Sequence, residues 1–279
     1  MQGLTIIAGR GSLPRALAQA CKTTNRPYCV VRLAEMPLDW LQGHPVIDAE
    51  IERFGAMFAA IRGAECEAVV FAGGVDRPNI NLSKLDDKTM EILPKLAPHL
   101  AAGDGATLRA IAEIFEAEGF SIKAAHEVLP ELLVDSGPLG ATHPSIADHA
   151  DINRAISITN ALGSVDVGQG AVVAQGLCFG AETLQGTDEM LEFVALTAQS
   201  SRPDPKGPKG VLYKGPKPGQ DLRMDMPAVG RLTVENAAKA GLAGLAMSAG
   251  KVMILERAET IATADRLGLF LFGVSGDSA

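Results

Sequence analysis

The first half of the chain repeats one succession: a short apolar run, a glycine turn, then an amphipathic stretch. That pattern constrains the fold more than any other feature. Leu4–Ala8 reads as a strand, Gly9-Arg10-Gly11-Ser12 as its turn, and 13–22 as a helix. Pro14 suits the first turn of that helix, where a missing N–H is tolerated. Residues 28–33 and 68–72 are further strands, with a helix at 51–62 between them; a helix at 106–118 leads into a strand at 120–124. Strands separated by helices pair in parallel through right-handed crossovers. Residues 1–133 are therefore expected to form a Rossmann-like α/β domain that binds nucleotide or substrate. Gly, Pro, Ser and polar residues dominate the next stretch and predict an interdomain linker at 134–150. Beyond it, helices at 151–162, 188–199 and 258–267 alternate with strands at 171–174, 178–181, 252–255 and 269–272. The expected architecture is α/β: an N-terminal Rossmann-like parallel-sheet domain linked to a second, smaller α/β domain, 151–279.

Charge and aromatic content narrow the partners. A net charge of −8 opposes binding to nucleic-acid backbones, which rewards excess cation. An aromatic fraction of 4% argues against stacking of bases. Cys21, Cys29, Cys66 and Cys178 form no CxxC pair and sit in apolar or helical contexts, Cys178 being read as core. The start lacks a cationic signal-type segment, and no apolar run approaches the roughly 18 residues of a membrane span. These features predict a cytoplasmic protein with reduced thiols.

Glycine turns at strand ends are the first candidate sites. Gly9 to Pro14 offers close backbone approach and the N–H groups of a helix start, a setting for an anion and equally for an ordinary βα turn. It resembles the opening of GxGxxG, but the second strand ends near Arg32 instead of the acid that reads a nicotinamide ribose. A diphosphate or nucleotide without that contact fits better. Gly73-Gly74-Val75-Asp76-Arg77 ends a second strand, so Gly74 and Arg77 are expected beside Gly11. Gly103-Asp104-Gly105 is a third turn, where Asp104 equally suits a helix cap. GxSxG, GxxxxGK[ST] and HExxH motifs do not occur, and His143 and His149 lack a metal-ligand spacing.

The stretch from Lys206 to Gly230 is more specific. Between Arg202 and Arg223 lie six cations (Arg202, Lys206, Lys209, Lys214, Lys217, Arg223) and two acids (Asp204, Asp221). Its Pro and Gly predict a long loop, either a solvated spacer or a functional one. If Gln220 to Met226 is extended, Asp221, Arg223 and Asp225 share a face, where cations clamp phosphate oxygens and two carboxylates hold Mg²⁺. Thr187 and Thr233 stand near helix starts, where capping is the default role and anion binding a second one; Gly168-Gln169-Gly170 is a flexible turn.

Taken together, GRGSLP (9–14), AGGVDRP (72–78), DVGQGAVV (166–173), QGTDEML (185–191) and KGPKPGQDLRMDMPAVG (214–230) resemble the LpxI-type UDP-2,3-diacylglucosamine pyrophosphatase family through nearly the whole chain. Gln185 stands where that family's pattern has Glu, and the surroundings of Asp104 depart from it. The resemblance implies Mg²⁺-dependent hydrolysis of UDP-2,3-diacylglucosamine to 2,3-diacylglucosamine 1-phosphate (lipid X) and UMP, in lipid A biosynthesis. It implies a cytoplasmic enzyme, peripheral to the inner membrane, and leaves room for an oligomer. Asp225 would be the catalytic, metal-binding carboxylate with Asp221 as second ligand, while Lys214, Lys217 and Arg223 neutralise the diphosphate. Substrate would be bound by Gly11, Ser12, Gly74, Val75 and Asp104 from the first domain, and by Gly170, Thr187, Gln220 and Thr233 from the second. Two other classes stay open on the residues alone: a non-catalytic binder of nucleotide sugars or lipid phosphates, and a nicotinamide oxidoreductase.

Overall fold

The computed structural model describes residues 1–33, 36–75, 80–100 and 104–276, with nothing said of the Asp104 and Gln199 side chains. The chain divides into two compact units, Met1–Pro130 with Asp221–Asp225, and Glu131–Gln220 with Met226–Ala279.

In the first unit, β1 (Leu4–Ala8), β2 (Tyr28–Leu33), β3 (Val46–Ala49), β4 (Ala68–Ala72) and β5 (Ser121–Ile122) form one sheet in the order β3-β2-β1-β4-β5. Every neighbouring pair is parallel. The runs are almost wholly buried, as a sheet covered on both faces requires. α1 (Leu13–Thr23) packs on β1 and β2, and α5 (Ala125–Val128) on α1 and β4. α2 (Phe54–Gly63), α3 (Asp87–Leu100) and α4 (Asp104–Ala117) contribute Phe54, Phe58, Ile92 and Phe115 to a core with Ile7, Val31 and Val69. Strand order reverses at β1, so the carboxyl ends of β1 and β4 form a topological switch point, the usual ligand side of such sheets.

The second unit is not the smaller one, because residues 131–150 fold with it instead of forming a tether. There β6 (Gly137–Pro138) pairs antiparallel with β13 (Phe270–Val274) at the sheet edge, where a proline is admissible. Ser145 and Asp148 form a reciprocal capping box that starts α6 (Ile146–Ser164) five residues before the expected 151. The sheet runs β6-β13-β11-β9-β7-β8, with β7 (Gly170–Ala174), β8 (Leu177–Ala181), β9 (Val211–Lys214) and β11 (Gly244–Ser248). Strands β9, β11 and β13 are mutually parallel, while β7 is antiparallel to both of its neighbours. A separate parallel pair joins β10 (Ala228–Val229) to β12 (Met253–Ile254). Val211 and Tyr213 of β9 face α6. Leu212 faces α7 (Thr187–Ser201), α8 (Arg231–Lys239) and α9 (Arg257–Leu267).

The stretch 206–230 is therefore no continuous loop, since it holds an inner strand and part of the small parallel pair. Cys178 is exposed instead of core, because β8 is the outermost strand. Cys21, Cys29 and Cys66 are buried free thiols, and burial pushes Cys66 up to about 12.

Candidate functional site

At the switch point of the first unit the two glycine turns are stitched together. The Arg10 amide donates to the Gly74 carbonyl (2.8 Å), the Gly74 amide returns a bond to Arg10 (3.2 Å), and the Gly9 amide donates to Ala72 (2.7 Å). Gly73 has φ +85°, and a Cβ there would overlap the Arg10 carbonyl, so the glycine is required by the packing of one turn on the other. Gly11, Gly74 and Val75 are exposed on this junction, and Ser12 precedes α1 without donating or accepting a side-chain cap bond. The structure thus brings the turn that carries Gly11 and Ser12 against the one that carries Gly74 and Val75. Asp76, Arg77 and Pro78 lie outside the described residues. Asp104 opens α4, and its side chain lies outside the description.

Residues 221–225 belong to this same unit and form a turn, not the extended segment expected. The amides of Met224 and Asp225 both donate to the Asp221 carbonyl (3.0 Å each). The turn follows from burial, because Met224 is part of the core formed by Phe58 and Phe115. Arg223 grips the Asp221 carboxylate with Nε (3.0 Å) and Nη2 (2.7 Å), and its Nη1 donates to Glu116 of α4 (2.8 Å). The Arg223 guanidinium holds the Asp221 carboxyl below the usual carboxylate range, and Arg109 lowers it further. Arg109 and Glu116 stand seven residues apart on α4, hence on one face. Sequence reading missed both, since nothing in their local pattern marks them.

Asp221 and Asp225 offer oxygen donors only, the chemistry that Mg²⁺ takes from one or two carboxylates plus substrate phosphates. Among the described residues no group of three or more His, Cys, Asp or Glu is placed to hold a metal.

In the second unit Lys214 ends β9 on the face set by Leu212, two residues earlier, and so meets the start of α7. Its Nζ donates to Thr187 Oγ1 (2.6 Å), and Thr187 Oγ1 donates to Glu182 Oε2 (3.0 Å). All three side chains are buried. Thr187 is the first residue of α7 and Thr233 the third of α8; glycines occupy both cap positions, so neither threonine caps its helix. Asn236 of α8 donates to Asp188 of α7 (3.1 Å), tying α8 to the start of α7. Gly170 opens β7 beside Glu182, whose amide donates to the Gly170 carbonyl (2.9 Å).

Lys217 is bonded elsewhere. Its Nζ pairs with Asp166 (2.6 Å), and its amide donates to Gln220 Oε1 (2.8 Å), closing a local turn. Arg202 donates to the carbonyls of Lys209 (2.8 Å) and Gly241 (3.0 Å), a structural use. Much of the expected cationic island is thus locally compensated. Lys214 stands apart as its buried member.

Two family models match the chain: the LpxI N-terminal domain over residues 3–132 and the LpxI C-terminal domain over 135–272. The chain is 41% identical over 274 residues, covering 98% of both sequences, to a protein of Caulobacter vibrioides named UDP-2,3-diacylglucosamine pyrophosphatase LpxI.

Proposed function

The chain belongs to the LpxI family through both of its domains, and from that premise we propose that it hydrolyses the pyrophosphate of UDP-2,3-diacylglucosamine. The products are 2,3-diacylglucosamine 1-phosphate and UMP, in lipid A biosynthesis. The near-full-length identity to a pyrophosphatase of that name carries the reading.

Asp225, on the turn anchored by Met224, orients the attacking water, with Asp221 supporting Arg223 beside it. Lys214 and Arg223 meet charge that shifts between phosphoryl oxygens as the anhydride opens, where fixed cations act most strongly. Lys217 supplements them when it leaves Asp166. The exposed junction of Gly11 and Gly74, with Ser12 and Val75, receives the nucleotide side. Mg²⁺, bound with the diphosphate, would add Lewis-acid stabilisation at Asp225 and Asp221. Among the described residues no helix is long and apolar enough to cross a membrane. We place the enzyme peripherally on the inner membrane, in the cytoplasm, because its substrate and one product carry acyl chains.

The test is release of UMP from UDP-2,3-diacylglucosamine with Mg²⁺ or with EDTA. Asp225→Ala is expected to lower turnover by about 100-fold or more while substrate still binds. Tight binding without UMP would make the protein a binder only, and wild-type turnover in Asp225→Ala would remove that residue from the chemistry.

A further inference from the structure

We propose that Glu182 is a positioning residue for Lys214, holding its ammonium at the carboxyl end of β9 through the Thr187 hydroxyl. The proposal rests on the reading of Lys214 as a cation that meets the diphosphate. Nothing in the local sequence marks Glu182, which follows β8 immediately.

The direction of the chain of bonds is fixed by chemistry. A lysine ammonium only donates and a carboxylate only accepts, so the hydroxyl between them must accept from one and donate to the other. Lys214 Nζ to Thr187 Oγ1 is 2.6 Å, Thr187 Oγ1 to Glu182 Oε2 is 3.0 Å, and Nζ to Oε2 is 3.9 Å. The opposite charge is thus near without direct contact. Side-chain exposures of 10% for Lys214 and 8% for Glu182 put the pair out of bulk water. Burying such a pair gives no stability advantage over packed apolar residues of the same volume. Its presence is better explained by the charge it holds ready.

The glycines of the DVGQG segment make room for it. A Cβ on Gly168 would overlap the Glu182 carbonyl, and one on Gly170 would lie 2.6 Å from Glu182 Oε2. Gly170, expected to bind substrate, is thereby assigned to housing the carboxylate. The neighbouring acid Asp188 is bonded to Asn236.

The experiment combines steady-state UMP release with ¹⁵N NMR of lysine ammonium groups, whose signals survive only where solvent exchange is slowed. Wild type should show a protected Lys214 ammonium, identified by its loss in Lys214→Met. Glu182→Gln and Thr187→Val should both erase that signal and lower kcat about 10-fold or more, with KM within about 3-fold. Thr187→Ser should restore both, because it keeps the hydroxyl. In a Lys214→Met background Glu182→Gln should cost less than about 2-fold, since residues acting as one unit are non-additive. Gly170→Ala should behave as Glu182→Gln does. An undiminished kcat in Thr187→Val, or a full additional loss from Glu182→Gln without Lys214, overturns the proposal. The NMR arm needs no substrate. A signal that responds to Glu182→Gln in a protein that makes no UMP would refute the activity and keep the link, and UMP formation with an unresponsive signal would refute the link.

Discussion

Arg223 uses its donors on two carboxylates that enter the sequence very differently. Asp221 is two residues away and legible in the motif; Glu116 lies on α4, 107 positions distant, and only packing reveals it. The same distinction runs through the other site residues. Lys214 and Thr187 stand in motifs, but Glu182, which completes their chain of bonds, has no local signature. Local patterns record residue types, while a buried polar partner is chosen by whatever the fold brings near. The Arg223–Asp221 bond has a pH consequence. Because Arg223 holds the Asp221 carboxyl below its usual range, the folded state releases that proton more readily than the unfolded chain does. The contribution is full above the ordinary carboxylate value and disappears as pH falls through the depressed one. With both side chains partly exposed, it is worth about 0.5–1 kcal/mol. Urea titrations should show Asp221→Asn less stable than wild type at pH 7, and the gap should narrow as the pH falls below the ordinary carboxylate range. A gap independent of pH would show that the charge of Asp221 does not stabilise the turn.

At the scale of elements, β1, β2 and β4 were legible to the residue, because a strand buried on both faces must be an apolar run whatever its partners. β9 was not. Its VLYK ends in a lysine and is preceded by Pro, Gly and Lys, the composition of a loop, yet all four residues are buried in the sheet. The element was hidden by the charge at its end. Turns were legible as turns, but not in which glycine serves structure and which serves a ligand. Gly73 and Gly74 differ in that respect. Gly73→Ala meets the Arg10 carbonyl at a positive φ, and the left-handed conformation alone costs an L-residue about 1–2 kcal/mol. A Cβ on Gly74 has only the Arg10 guanidinium nearby, at 3.9 Å. Gly73→Ala is therefore expected to lower Tm by about 4 °C or more. Gly74→Ala should leave Tm within about 1 °C while raising KM, since it adds bulk on the exposed face of the junction. Equal thermal shifts in the two variants would refute this division of roles.

At the scale of the whole molecule, the sequence divides close to where the structure does, but chain continuity misleads about five residues. Segment 221–225 lies between stretches of the second unit and yet belongs to the first. Its specific motif looks like one continuous site; its anchor, Met224, is a core residue of the sheet formed by the first 130 residues. Such membership depends on contacts across more than 100 positions and has no local signal. It does have a thermodynamic one. Met224 is 8% exposed, and replacing a buried methionine by alanine costs about 2–3 kcal/mol. If the segment belongs energetically to the first unit, that loss falls on the first unit alone. Hydrogen exchange of Met224→Ala under native conditions should then show faster exchange in β1, β2, β4 and α4 and in 221–225 itself. Peptides from β7, β9 and β11 should keep wild-type protection, because local opening follows the cooperative unit that lost the contact. Loss of protection in β9, seven residues upstream of Asp221 along the chain, with β1 and β4 unchanged, would mean that the segment is stabilised by its sequence neighbours instead. Asp225 would then owe its position to the second unit.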